Sequence, residues 1–156
     1  RGMTGQQTQP HRVELYSRTM LSEQVRRRYN QVAARLSTLA GNEHLGEVET
    51  INWRQRVPVE EDCFERYHYD LFETWATETD VSLEPFFDTR QCYSKETGER
   101  GTFLVMPVMS LAIYRDDALQ TVYPHTTANG SQSVMNGLEM LETSHNQGYT
   151  TEGAVI

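Results

Sequence analysis

The stretch Thr102 to Tyr114, TFLVMPVMSLAIY, constrains the fold more than any other. It is the longest apolar run in the chain, rich in β-branched and aromatic residues, and it stops at the turn-forming pair Asp116-Asp117. A helix needs roughly 20 apolar residues to cross a bilayer, so this run is too short to be a span. A proline cannot donate to a sheet ladder, so Pro107 puts a bulge or kink into the long strand expected here. The rest of the chain reads as cover for that strand. With 156 residues to build on, a single α+β domain is expected.

The neighbouring elements follow from period and punctuation. Arg12 to Ser17 alternates with Val13 and Leu15 on one face and predicts a first strand. Ser22 is an N-cap for a helix over Leu21 to Leu39, whose stripe is Leu21, Val25, Tyr29, Val32, Leu36 and Leu39 and whose stop is Gly41-Asn42. Glu47 to Val57 predicts a second strand, parallel to the first across the helical crossover. Pro58 opens a second helix ending near Thr79, with Glu60, Glu61 and Asp62 in its first turn and Phe64, His68, Leu71, Phe72 and Trp75 inward.

Val81 to Phe87, VSLEPFF, reads as a connector that plugs the core edge. Asp88 to Lys95, a turn at Glu96 to Glu99 and the run from Thr102 form a hairpin, and Asp116-Asp117 turns into a further strand over Leu119 to His125. After the polar loop Thr127 to Ser133, Ser133 caps a last helix bearing Val134, Leu138 and Leu141. The expected order is β-α-β-α-β-β-β-α, a mixed sheet with helices packed mainly on one face. Residues 12–142 form the domain, between a disordered tail over 1–11 and a flexible one over 143–156. Met3 reads as a start, with Arg1 and Gly2 ahead of it, and no leader or membrane segment is expected, so the location expected is cytoplasmic.

Charge narrows the partners. The chain has 22 acidic and 14 basic residues, and only Lys95 of the basic ones is a lysine. Strongly hydrated carboxylates keep a protein soluble where salt strengthens apolar association, so this balance points to a cytosol of multimolar salt; a GC-rich genome is the milder explanation. The first 40 residues hold seven arginines against Glu14 and Glu23, while the remainder carries a large acid excess. That locally basic third is the electrostatic hint of a polyanion partner.

Catalytic and metal chemistry is not signalled. Cys63, His68, Cys92 and His125 are the conceivable soft ligands, but close ligand pairs are lacking, so no metal is expected. Cys63 and Cys92 read as buried thiols, and Cys92 with His125 makes a poor nucleophile-base pair. His68 reads as a hydrogen-bonded core histidine. No glycine-rich phosphate loop occurs, so neither a cofactor nor an enzymatic activity is expected.

Taken together, the first strand, the arginine-rich helix, VSLEPFF, YSKETGE, VMPVMSLAIY and VYPHT resemble small acidic haloarchaeal proteins labelled as helix-turn-helix domain-containing. The resemblance spans most of Arg12 to Leu141 and implies DNA binding and transcriptional control, with no residue roles to transfer. A helix-turn-helix joins two short helices by a tight turn, whereas here a strand-like, Trp-containing segment follows the first helix. The DNA candidates are Arg26, Arg27, Arg28 and Arg35 on the first helix and Arg54 and Arg56 on the next strand, a solvated surface being the alternative for the helix face. The other reading is a protein-interaction or dimerisation module, a homodimer or a complex with another protein, through an exposed edge or the Met106–Met109 region.

Overall fold

A computed structural model describes residues 11–93, 98 and 100–143, without the Cys92 side chain. Residues 1–10 and 144–156, on which the tails were expected, lie outside the described residues, as do Lys95, Glu96, Thr97 and Glu99 of the expected hairpin turn. The elements are β1 (His11–Arg18), α1 (Glu23–Gly41), β2 (Leu45–Trp53), β3 (Arg56–Pro58), α2 (Phe64–Thr79), β4 (Asp88–Tyr93), β5 (Arg100–Val105), β6 (Met109–Arg115), β7 (Ala118–Tyr123), β8 (His125–Thr127), β9 (Gly130–Gln132) and α3, residues 134–143. The fold is α+β with a mixed central sheet, as the sequence pattern predicts.

The central sheet has the order β2-β1-β6-β7, β1 pairing parallel with β2 and antiparallel with β6. Side chains alternate across a strand, so each strand feeds both faces. Val13, Leu15, Leu111 and Ile113 point to one face, where α1 contributes Val32, Leu36 and Leu39 and α3 contributes Val134, Leu138 and Leu141. Tyr16, Ala112, Tyr114 and Val122 point to the other, against Phe72, Trp75 and Ala76 of α2 and against Trp53, Val57 and Leu104. Two helices thus cover one face and α2 covers the opposite one. Because both faces are covered, Met109 to Tyr114 is buried at every position, which explains a continuous apolar run in place of alternation.

The long strand expected over Thr102 to Tyr114 is two strands in different sheets. β5 belongs to a second sheet, β3-β5-β4, and β6 to the first. The change of sheet takes place at Met106 to Val108, where Pro107 has no N–H to offer a ladder. Other partners take up the freed groups. The Met106 N–H donates to Gln55 O at 2.8 Å, and the Trp53 indole N–H donates to Pro107 O at 3.0 Å. The strand expected over Glu47 to Val57 divides at the same level, β2 ending at Trp53 and β3 starting at Arg56. Two chain segments therefore cross between the sheets side by side.

Helix ends are set by local chemistry. Ser22 Oγ accepts from the Val25 N–H at 3.3 Å and Ser133 Oγ from the Asn136 N–H at 3.2 Å, the two caps read from the sequence. α1 buries its stripe fully only from Val32 onward; Leu21, Val25 and Tyr29 are half-covered. α2 begins at Phe64, not Pro58, because Pro58 pairs with Phe103 at the end of β3; Glu60, Glu61 and Asp62 precede the helix. Asp116 and Asp117 turn β6 into β7 with φ of 54° and 65°, the two left-handed positions of a tight hairpin. Leu83 and Phe87 of VSLEPFF are buried as the plug expected. The segment read as a polar loop after Thr127 instead forms half of the β8–β9 hairpin. α3 lies so close to Tyr123 that a Cβ at Gly137 would stand 2.4 Å from its ring. Among the described residues, no helix is long and apolar enough to cross a membrane.

Candidate nucleic-acid interface

The six candidate arginines do not form one surface. On α1, Arg26, Arg27 and Arg28 are exposed and lie in the N-terminal half of the helix, where the stripe residues Val25 and Tyr29 are only partly buried. Arg27 pairs with Glu23 at 3.0 Å, an (i, i+4) pair so solvated that it holds the guanidinium weakly. Arg26 and Arg28 have no carboxylate within salt-bridge distance among the described residues. Arg35, two turns beyond Arg28 on the same flank, is occupied: its Nε donates to Glu142 Oε2 at 3.0 Å and its Nη2 to Oε1. This pair ties α1 to α3, so Arg35 is part of the fold and not of a free face.

Arg54 and Arg56 leave the sheet on the other side of it, beside α2. Arg54 forks onto Glu65, with Nε to Oε2 at 3.1 Å and Nη2 to Oε1 at 3.0 Å, while its backbone N–H donates to the same Oε2 at 2.9 Å. Glu61 takes a further Nη2 bond at 2.9 Å. Glu65 is 5 % exposed. Burial alone would raise its carboxyl, but the Arg54 side-chain and backbone donors outweigh that and hold it down at about 2. Arg54 is therefore a structural clamp. Arg56 is exposed and rests over the Phe103 ring at 5.3 Å.

Two arginines that sequence reasoning missed stand close to Arg56. Arg90 is the direct cross-strand partner of Phe103, so it shares the outer face of the second sheet with Arg56. Arg18 closes β1 and donates through Nε and Nη2 to Met106 O at 2.9 and 2.5 Å. Its pKa is lowered, first by burial and then by the like charge of Arg90. Their separation along the chain hid them: only the link between β5 and β6 brings Arg18 to the second sheet. Arg18 also stands opposite Trp53 in the parallel ladder, directly before α1 and beside the exit to Arg54 and Arg56. The ends of β1 and β2 thus gather Arg18, Arg56 and the first turns of α1 at one end of the central sheet.

The remaining chemistry is already satisfied within the chain. His68 Nδ1 lies 3.0 Å from Phe64 O and its ring meets Tyr16 and Phe72, but it is half-buried at the edge and not the core histidine expected. His125 is buried, with Nδ1 donating to Val122 O at 2.6 Å. Cys92 and His125 are not on neighbouring strands: β4 pairs with β5 and β8 with β9. Cys63 is half-buried at the α2 N-cap. Among the described residues no three His, Cys, Asp or Glu side chains group to hold a metal ion, and no buried side-chain polar atom lacks a partner. A cavity of about 290 Å³ between α2 and the second sheet is lined by Val59, Arg66, Tyr69, Thr89, Thr102 and Leu104. Its charged and phenolic groups are engaged: Arg66 with Asp70 at 3.1 Å and with Val59 O, and Tyr69 with Glu73 at 2.8 Å.

Residues 5–146 match the family described as Helix-turn-helix domain. The chain belongs to that family. No curated protein and no solved structure matches it. In this helix-turn-helix family member, no two helices among the described residues are joined by a short turn, since β2 and β3 separate α1 from α2 and residues 80–133 separate α2 from α3. α1 and α2 also lie on opposite faces of the sheet, so they cannot dock together as a recognition pair.

Proposed function

We propose that this helix-turn-helix family member is a DNA-binding, non-catalytic regulator of a haloarchaeal cytosol, with the N-terminal half of α1 as its DNA contact. One observation carries this reading. In a chain with 22 acidic residues, Arg26 and Arg28 have no carboxylate within salt-bridge distance among the described residues, and they are exposed on the helix half whose stripe is only partly buried. Family membership supports DNA as the polyanion, and the scarcity of lysine supports the salt-rich setting. Counterion release contributes little in multimolar salt, so affinity has to come from shape and base-edge contacts, which an exposed helix face supplies.

The test is a fluorescence-anisotropy titration in molar KCl with random duplex and with the DNA upstream of its own gene. Saturable, sequence-dependent binding is expected, weakened at least tenfold by Arg26→Glu with Arg28→Glu while the melting temperature holds. Equal affinity in the double variant, or no binding at all, overturns the α1 contact. The second reading, a protein-interaction or dimerisation module, is favoured by Phe64 and Tyr67, which are 42 % and 66 % exposed at the start of α2 with their rings against His68. A dimer by sedimentation that Tyr67→Lys dissociates would support it; a monomer throughout would count against it.

A further inference from the structure

We infer that the outer face of the β3-β5-β4 sheet is a second DNA-backbone contact, with Arg56 and Arg90 on either side of Phe103 and Arg18 beside them at the end of β1. This rests on the DNA reading above and adds to it a surface that no helix provides. Strand pairing fixes the arrangement. Arg56 faces Val105 and Arg90 faces Phe103, while Val57 and Leu104, one residue along, are buried; Arg56, Phe103 and Arg90 must then point outward together. Phe103 carries Arg56 at 5.3 Å, which limits the freedom that arginine would lose on meeting a phosphate.

Charge argues for an anion. Arg18 and Arg90 stand close enough for their like charges to repel, and Asp88, 3.1 Å from Arg90, is the carboxylate paired with this group among the described residues. Other arginines are matched, as Arg12 with Glu14, Arg35 with Glu142, Arg54 with Glu65 and Arg66 with Asp70, while Arg26, Arg28, Arg100 and Arg115 have no carboxylate within salt-bridge distance among the described residues. Three arginines of which only Arg90 has a carboxylate partner among the described residues make a surface that a phosphate backbone complements, and guanidinium forks suit phosphate geometry. A duplex lying along this end of the sheet would meet α1 and the second sheet in succession.

The experiment titrates the full chain and the Arg56→Gln, Arg90→Gln double variant with the same duplexes across a KCl series. Arg18 is left intact because it anchors Met106 O. At the low-salt end of the series we expect affinity to fall about tenfold or more, and the slope of log K against log salt to become shallower by about two, one phosphate contact per arginine. Phe103→Leu, which keeps the apolar body but removes the ring under Arg56, is expected to weaken binding several-fold. If the double variant melts early, Arg56→Gln alone is read, with a slope change of about one. Wild-type affinity and slope in these variants would overturn the second contact while leaving α1 standing. No DNA binding by the full chain would overturn both. Loss in the double variant with none in the Arg26, Arg28 variant would retain the sheet and discard the helix.

Discussion

The two faces of the central sheet are held by different means. On the α1–α3 face the contacts are mainly aliphatic, Tyr123 apart: Val13, Leu15, Leu36, Leu111, Ile113 and Leu138 are fully buried or nearly so, and area removed from water is the main stabilising term. On the α2 face the contacts are aromatic and anchored. Tyr16 stacks on Trp53 at 4.6 Å, Phe72 and Phe87 meet edge to face at 5.8 Å, and both tryptophans spend their indole N–H on carbonyls, Trp53 on Pro107 and Trp75 on Gln120. The Arg54–Glu65 clamp closes that side. An aliphatic core tolerates exchange among residues of similar volume, whereas an anchored aromatic core is tied to particular atoms.

The largest expected effect breaks that contrast at Trp53. Trp53→Ala should cost about 3–5 kcal/mol. Trp53→Phe, which keeps a ring but leaves Pro107 O without its donor, should still cost about 1–3 kcal/mol. On the opposite face Leu36→Met should cost less than about 1.5 kcal/mol. Urea denaturation of the three variants checks the order. If Trp53→Phe proves as mild as Leu36→Met, the anchoring hydrogen bond is not what distinguishes the faces.

The same contrast decides what could be read from the sequence. The α1–α3 face was legible because helix period is a local property: the stripe through Val32, Leu36 and Leu39 and the caps at Ser22 and Ser133 are set by residues within a few positions of each other. The parallel pairing of β1 and β2 followed from the crossover between them. What escaped was non-local. Pro107 marked a break, but whether the chain bulges or changes sheet depends on residues some fifty positions away, Gln55 O accepting from the Met106 N–H and the Trp53 indole donating to Pro107 O. Helix face and strand parity alone make Arg35 and Arg54 look as exposed as Arg26 and Arg28. Only placement of Glu142 and Glu65 separates those that hold the fold from those without a carboxylate partner among the described residues. Arg18 and Arg90 carried no local signal at all.

A smaller effect probes the clamp. Glu65 titrates near 2 in the folded chain and near 4.5 when unfolded. A carboxyl depressed on folding contributes stability that is present above the unfolded value and is lost as pH falls through the folded one. Glu65→Gln should therefore lower stability by about 2 kcal/mol at pH 7, the half-exposed Arg54 keeping the loss below that of a fully buried pair. Between pH 4.5 and 2 the wild-type chain should lose this margin and the variant should not, so their denaturation curves should converge. Parallel curves over that range would show that Glu65 is not the group whose charge secures α2.

The smallest effect concerns Arg35, and it separates fold from function most sharply. The Arg35–Glu142 pair is half-exposed, with side chains 39 % and 29 % accessible, so solvent screens much of its attraction. Arg35→Gln should cost no more than about 1 kcal/mol, and Glu142→Gln combined with it should add almost nothing, since the two substitutions remove one interaction. DNA affinity should stay within twofold of wild type in either variant, because Glu142 already occupies the Arg35 guanidinium, whereas Arg28, two turns earlier, has no carboxylate partner among the described residues. A tenfold loss of DNA affinity in Arg35→Gln at unchanged stability would mean that Glu142 yields its partner to the phosphate. The contact surface would then run the whole length of α1, and the division between a structural and a functional half of that helix would fail.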